Sequence, residues 1–145
     1  MQAEPEDSYD RVLYSSHPSR LTHPDNLATL AVLFGLSPAP VESCRVLELG
    51  CGNGANLIPM ALTLPGSRFT GVDLAGTPIA AARTLTDELG LGNIAFHQRD
   101  IMELESGFAE FDYIIAHGVY AWVPPQVRDR LLAVCRIPRL RQVRR

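Results

Sequence analysis

The residues best suited to binding chemistry lie in one loop, where three glycines occupy alternate positions directly after an apolar stretch. Gly50, Gly52 and Gly54 follow residues 46–49, and Glu48 lies within that stretch. Glycine lacks a Cβ and tolerates positive φ, so backbone amides in such a loop can approach a ligand closely. The helix predicted after the loop would present unpaired N–H groups to an anionic group. The pattern predicts a site for a nucleotide-type cofactor, with a tight strand-to-helix turn as the structural alternative.

Three further polar groups follow predicted strands, at the edge where open parallel sheets bind ligands. Asp73 lies 23 residues after Gly50 and ends the second predicted strand. A carboxylate there can accept charge-assisted hydrogen bonds from ribose hydroxyls. Asp100 with Ile101 follows the third strand, where an adenine edge would lie, and His117 follows the fourth. Each acid alone is equally an ordinary turn or capping residue, but their positions at successive strand ends favour a binding site.

Strand and helix signals alternate along the chain and must position these groups. The predicted strands are residues 44–49, 68–74, 94–98 and 111–116. The predicted helices are residues 22–34, 55–64 and 77–89, and a last one that begins near residue 124. Thr22 with Asp25 predicts a capping box, and Thr77 is the predicted N-cap before Pro78. Alternating strands and helices imply right-handed crossovers and an α/β fold, a Rossmann-like, doubly wound, mainly parallel sheet.

Composition limits the class of protein. The chain has 145 residues, 46% of them hydrophobic, which suits one folded domain. The polar N-terminus and the lack of a long apolar run predict neither a secretion signal nor a membrane span. Three scattered cysteines predict a reduced, cytoplasmic protein without a metal site. Before residue 136 there are eight basic and sixteen acidic residues, which argues against nucleic acid as the main partner.

Three segments together resemble the motifs of class I S-adenosylmethionine-dependent methyltransferases. The segment VLELGCGNG at residues 46–54 is similar to their first motif, FTGVDL at 69–74 to their second-strand motif, and FDYIIAH at 111–117 to their fourth-strand motif. The resemblance spans residue 46 to about residue 136. Shorter matches at Tyr9, Asp10, His23, Pro24 and YAWVP at 120–124 resemble, more narrowly, a bacterial subgroup that carries a methyltransferase regulatory domain.

The resemblance implies S-adenosyl-L-methionine as the cofactor and gives the first two motifs their roles. Glu48 would brace the glycine loop and bind the amino end of the cofactor through water. Asp73 would hold both ribose hydroxyls. The loop amides would hold the methionine part; they belong to Gly50, Cys51, Gly52, Asn53 and Gly54.

The same resemblance implies roles for four residues after the second and later strands. Leu74 would pack on the adenine face. Asp100 would accept from the adenine amino group, and the backbone N–H of Ile101 would meet a ring nitrogen. His117 would lie near the methionine part or the transferred methyl group.

The residues themselves leave other functions open. A nicotinamide site prefers G-x-G-x-x-G, whereas this loop reads G-x-G-x-G, so an NAD-type Rossmann oxidoreductase fragment is the weaker alternative. A non-catalytic S-adenosylmethionine-binding module is another. His117 is a candidate general base or a turn residue, and Tyr120 and Trp122 line an acceptor pocket or pack on their own helix. No catalytic residue is assigned, and the acceptor is expected to be a small molecule or a protein.

The resemblance also implies seven strands in the order 3-2-1-4-5-7-6, of which this sequence supplies about four. After residue 136 no Gly-rich turn and apolar strand follow, so we expect a C-terminally truncated chain. Its expected parts are an N-terminal arm at residues 1–21, an incomplete cofactor-binding domain at 22–136 and a basic tail at 137–145. A fourth strand at the sheet edge predicts self-association, and we expect cofactor binding to survive better than methyl transfer.

Overall fold

A computed structural model describes residues 17–104 and 111–135 of the chain, so most of the predicted arm and all of the predicted basic tail lie outside the described residues. The strands are β1 (Arg45–Leu49), β2 (Arg68–Asp73), β3 (Ile94–Gln98) and β4 (Tyr113–Ile115). The helices are α1 (Pro24–Leu33), α2 (Leu57–Thr63), α3 (Gly76–Glu88) and α4 (Pro125–Cys135). Short 3-10 turns lie at Arg20–Thr22, Val41–Ser43 and Ile101–Glu103. In the two described ranges, no helix has both the length and the apolar character needed to cross a lipid bilayer.

The four strands form one parallel sheet in the order β3-β2-β1-β4. This confirms the predicted α/β class and the first four positions of the expected strand order. Leu49 lies opposite Val72, and Asp73 lies opposite Gln98, so β1, β2 and β3 end at one edge of the sheet. That edge therefore carries both the glycine loop after β1 and the carboxylate that ends β2.

Helices cover both faces of the sheet and bury two apolar layers. Val46 and Phe69 belong to the layer formed with α2 and α3, which also contains Phe96. Leu47 and Leu131 belong to the opposite layer, formed with α4. Because β1 is central and buried from Val46 onward, any polar group on it is removed from water by the packing of its neighbours.

The start of α1 differs from the prediction. The helix begins at Pro24, so His23 is the N-cap residue, and its Nδ1 accepts from the Asp25 amide at 3.2 Å. The capping box predicted from Thr22 is therefore wrong, since Thr22 lies one residue too early. Its hydroxyl donates instead to the Ser19 carbonyl at 3.0 Å.

The start of α3 also differs from the prediction. The helix begins at Gly76, with Ala75 at the N-cap, so Thr77 lies inside the first turn and the predicted Thr77 cap is wrong. The Ala75 amide is satisfied by Asp73, whose Oδ1 accepts from it at 2.9 Å. The helix therefore has no side-chain cap, and Asp73 instead accepts from the amide of the N-cap residue.

Gly71 lies where β2 packs closely against its neighbours, so adding a side chain there tests that packing. A Cβ on Gly71 would lie 2.6 Å from the Phe96 ring and 2.7 Å from the Cys51 sulfur, and both residues are buried. We expect Gly71→Ala to lower the free energy of unfolding by about 1–3 kcal/mol, because overpacking displaces neighbouring groups. Urea denaturation measures this loss. Gly92→Ala is the matched control, since neither glycine has a positive φ and open space surrounds Gly92; equal stability of the two variants would contradict the packing.

Candidate functional site

The glycine loop between β1 and α2 depends on glycine for conformation and for space. Gly50, Gly52 and Gly54 have φ values of 72°, 53° and 76°, in the left-handed region that other residues seldom adopt. A Cβ on Gly50 would clash with the Val119 side chain, and one on Gly54 would lie 2.5 Å from the Phe96 ring. The alternate glycines are therefore required by the turn itself.

Backbone amides of this loop are largely used within the protein. The amides of Gly50 and Cys51 both donate to the Val72 carbonyl, at 2.8 and 3.1 Å. The Gly54 amide donates to the Cys51 carbonyl at 3.0 Å. The first two donors hold the loop against the end of β2, and the third closes the loop on itself, so all three are engaged with protein carbonyl oxygens.

Asp73 joins the glycine loop to the start of α3. Its Oδ2 accepts from the Gly52 amide at 2.8 Å, and its Oδ1 accepts from the Ala75 amide at 2.9 Å. An ionised carboxylate has about four lone-pair sites on its two oxygens. Each oxygen of this half-buried side chain therefore keeps the capacity to accept one more donor, which suits a pair of neighbouring hydroxyls.

Glu48 is a buried carboxylate with one oxygen unsatisfied. The side chain lies on β1 and is 4% exposed. Its Oε1 accepts from the Asn56 side-chain amide at 2.8 Å, whereas Oε2 is buried and has no hydrogen-bond partner among the described residues. Burial raises the pKa of Glu48 to about 7; the Asn56 hydrogen bond opposes that rise, and the negative charge of Asp73 adds to it.

Asn56 is the residue at this edge that sequence reasoning missed. It lies just before α2, is 6% exposed, and makes no capping bond to that helix. Besides contacting Glu48, its Nδ2 donates to the Thr22 hydroxyl at 3.0 Å, and its Oδ1 accepts from the Ser19 amide at 2.8 Å. The one signal in the sequence is an amide residue two positions after the last loop glycine, which is also typical of an ordinary helix start.

The other two loop residues have structural roles. The Cys51 side chain is 2% exposed, and burial, with the negative charges of Asp73 and Glu48, raises the pKa of its thiol. It is a buried, protonated thiol and not a nucleophile. Asn53 is exposed, and its Oδ1 accepts from the Ala55 amide at 3.2 Å, which closes a local turn.

The residues predicted to contact adenine lie after β2 and β3. Asp100 caps the short turn that follows it, since its Oδ1 accepts from the Met102 amide at 2.8 Å. Ile101 is half-buried against the apolar layer on the α4 face. Leu74 is half-buried, and its carbonyl accepts from the Gln98 side chain at 3.3 Å. Asp100 therefore stabilises the turn after β3.

His117 is exposed at the end of β4. It borders a cavity of about 190 Å³ on the side of the sheet that faces Thr22 and Leu27. The remaining lining residues are apolar and come from β4 and the residue after it: Ile114, Ile115 and Ala116. The cavity offers one imidazole and one hydroxyl in an otherwise apolar wall.

The loop after β4 presents two aromatic side chains, and one of them, Tyr120, contacts α4. The Arg128 guanidinium donates to the Val123 carbonyl at 3.0 Å and lies 5.5 Å from the centre of the Tyr120 ring. Trp122 is 74% exposed. Tyr120 therefore packs against α4, the helix that follows its loop, which is one of the two predicted alternatives. The Trp122 ring is open to solvent.

The chain is similar in sequence to a known protein family and to several known proteins. A family model described as a methyltransferase domain matches residues 40–136. An uncharacterized protein of Rickettsia prowazekii is 48% identical over 127 residues, covering 88% of this chain and 23% of that protein. A second uncharacterized protein of the same organism is 39% identical and covers 88% and 51%. The malonyl-[acyl-carrier protein] O-methyltransferase of Bacillus cereus is 31% identical and covers 80% and 39%. The chain therefore spans between about a quarter and about half of the length of these relatives.

Solved structures with bound AdoHcy or SAH are also similar to this chain. PKMT2 from Rickettsia typhi in complex with AdoHcy superposes with a TM-score of 0.79 at 38% identity, covering 83% of this chain and 23% of that one. The plantazolicin methyltransferase BpumL in complex with SAH has a TM-score of 0.57 at 24% identity, covering 77% and 40%. The second likeness supports the fold alone.

The burial of Glu48 predicts a specific pH dependence of stability. Between its ordinary pKa of 4.5 and its folded value of about 7, the folded state holds the proton while the unfolded state releases it. Glu48 therefore lowers the free energy of unfolding as pH rises through this interval. In Glu48→Gln this loss is absent, so we expect stability relative to the wild type to rise by about 3 kcal/mol between pH 4.5 and 7.5.

Urea denaturation of ligand-free protein at several pH values measures the difference. Glu88→Gln is the control, because it removes an exposed carboxylate at the end of α3. A Glu48→Gln profile that runs parallel to the wild type would show that Glu48 is ionised in the fold without penalty.

Proposed function

Since the chain belongs to the methyltransferase domain family, we propose that it forms the S-adenosylmethionine-binding part of an enzyme that transfers a methyl group to an acceptor. The observation that carries the proposal is the pair of carboxylates around the glycine loop. Glu48 has a buried oxygen without a partner, and Asp73 can accept one more donor on each oxygen. A ligand with an ammonium group at one end and a ribose diol beside it complements this pair.

The donor set fits S-adenosylmethionine better than a dinucleotide. A dinucleotide places its pyrophosphate on the amides of the glycine loop and the helix start. Here the amides of Gly50, Cys51 and Gly54 donate to protein carbonyls, and the Gly52 amide donates to Asp73, which leaves too few loop donors for the two charges of a pyrophosphate. A cationic amino end is favoured instead by the negative charges of Glu48 and Asp73. The AdoHcy complex of the similar PKMT2 supports the same choice.

We assign the remaining contacts to the adenine and methyl ends. Leu74, Asp100 and Ile101 would border the adenine ring, with the free capacity of the Asp100 carboxylate directed at its amino group. His117 would lie toward the methionine end, beside the cavity it borders. When bound, S-adenosylmethionine supplies an electrophilic methyl group. The residues of this chain bind and orient it, and none is assigned as a base.

The acceptor proposed is a small molecule or a protein side chain, and the proposed location is the cytoplasm. Acidic residues outnumber basic ones before residue 136, so this part of the chain has little electrostatic attraction for nucleic acid. The exposed Trp122, on the loop after β4, provides an apolar surface where an acceptor could dock.

Isothermal titration calorimetry with S-adenosylmethionine tests the proposal directly. We expect wild-type binding and a loss of at least about 100-fold in affinity for Asp73→Ala, because two charge-assisted hydrogen bonds to the ribose are removed. Asp87→Ala, which removes an exposed carboxylate from α3, is the control and should bind as the wild type does. Binding of NAD in place of S-adenosylmethionine would favour the oxidoreductase alternative and contradict the proposal.

We also propose that the free side of β4 supports self-association. Within residues 17–104 and 111–135, β4 pairs with β1 on one side only, and unpaired strand edges recruit other strands. Light scattering over a range of protein concentrations should reveal species heavier than the monomer. A single monomeric species at every concentration would argue against this use of the edge.

A further inference from the structure

The Asn56 side chain connects three separate parts of the chain. Its Nδ2 donates to Glu48 Oε1 on β1 at 2.8 Å and to the Thr22 hydroxyl at 3.0 Å. Its Oδ1 accepts from the Ser19 amide at 2.8 Å. The Thr22 hydroxyl completes the set by donating to the Ser19 carbonyl at 3.0 Å. The turn that precedes α1 is thereby tied to a carboxylate in the centre of the sheet.

The orientation of this carboxamide is decided by its neighbours. The Ser19 amide can only donate, and an ionised Glu48 can only accept. Turning the Asn56 amide over would set N–H against N–H at one end and oxygen against oxygen at the other. Both hydrogens on Nδ2 and the oxygen are therefore used in one arrangement, in a side chain that is 6% exposed.

This arrangement determines which Glu48 oxygen remains available. Oε1 is held by Asn56, and Oε2 is left buried without a partner among the described residues. A buried acceptor without a donor is costly unless a ligand supplies one. Asn56 thus holds the carboxylate in position and leaves Oε2 as the oxygen that can still accept a donor.

We propose that Asn56 is a positioning residue, which holds Glu48 so that Oε2 receives the cofactor's ammonium group and which links that carboxylate to the Ser19–Thr22 turn. The inference rests on the proposed function, since it takes S-adenosylmethionine as the ligand. Asn56 acts through Glu48 and contacts no reacting atom. Docking of the turn ahead of α1 and binding of the cofactor therefore depend on the same side chain.

The charges around Glu48 determine the sign of the expected effect. Asp73 at the end of β2 raises the pKa of Glu48, and the Asn56 hydrogen bond lowers it. Cys51 in the loop has a raised thiol pKa and is neutral. The residues opposite Glu48 in the sheet, Gly71 and Ile115, carry no charge, and neither do the side chains of Ser19 and Thr22. Removal of Asn56 should therefore raise the pKa of Glu48 further.

The first measurement needs no cofactor. The side-chain carboxyl carbon of Glu48 is followed by NMR in 13C-labelled protein, with Glu48→Gln identifying its signal. We expect Asn56→Ala to move the Glu48 midpoint upward by about one pH unit, the size of a lost hydrogen bond to a charged group. Asn53→Ala is the matched control, because Asn53 lies in the same loop and bonds only locally, to the Ala55 amide; it should leave the midpoint unchanged.

The second measurement is S-adenosylmethionine affinity across the same pH range. Binding of an ammonium group requires ionised Glu48, so affinity should rise with pH until Glu48 is ionised. In Asn56→Ala this rise should move to higher pH by the same interval as the NMR midpoint. A merely structural role for Asn56 would weaken binding equally at every pH.

Thr22→Val keeps the test decisive if Asn56→Ala does not fold. Valine preserves the shape of the side chain but removes the hydroxyl that receives Asn56 Nδ2, so the Glu48 midpoint should rise above the wild-type value by less than about one pH unit. An unchanged Glu48 midpoint in the folded variants, with wild-type binding intact, would overturn the inference. A wild-type protein that binds no S-adenosylmethionine at any pH would instead overturn the proposed function, and the inference with it.

Discussion

The carboxylate of Asp73 is the contact on which the candidate site depends. Asp73 is the last residue of β2. Its carboxylate accepts from the Gly52 amide in the glycine loop and from the Ala75 amide in the turn before α3. The Val72 carbonyl beside it accepts from two more amides of the glycine loop. Two connections that are distant in sequence are therefore locked to one strand end. The loop has little freedom left, and a ligand at this edge meets a surface that is already formed, which limits the ordering that binding requires.

Glu48 lowers the stability of the fold, whereas the hydrogen bonds of Asp73 hold the loop in place. A carboxylate in the centre of a buried strand is unfavourable, and its raised pKa is the direct sign of that cost. The fold provides one donor, from Asn56, and leaves the second oxygen without one. A buried carboxylate that lowers stability and has a hydrogen-bond donor on only one oxygen is typical of a binding site, where the ligand supplies the missing donor. The same chemistry makes the site sensitive to pH near neutrality, because small changes around Glu48 alter its charge.

The elements of the fold could be predicted because their signals are local. The apolar stretches of β1 and β3 and the periodic residues of α1 are visible in the sequence within a residue or two of their observed bounds. The first residues of α1 and α3 were predicted less accurately. Thr22 and Thr77 have the side chains of N-cap residues, yet His23 caps α1, and Asp73 satisfies the amide at the start of α3. A cap depends on where the chain leaves its preceding turn, which residue type alone does not specify.

The sequence by itself determined the strand-loop-helix motif, the three glycines of the loop and the placement of Asp73 at a strand end, since each follows from the order of residue types along the chain. The tertiary structure alone decided that two loop amides donate to Val72, that one oxygen of Glu48 lacks a donor, and that Asn56 joins Glu48 to Thr22. These contacts link residues 8 to 34 positions apart. Their existence depends on how strands and helices pack, and no local pattern encodes that packing, because a hydrogen bond between distant residues is set by geometry in three dimensions.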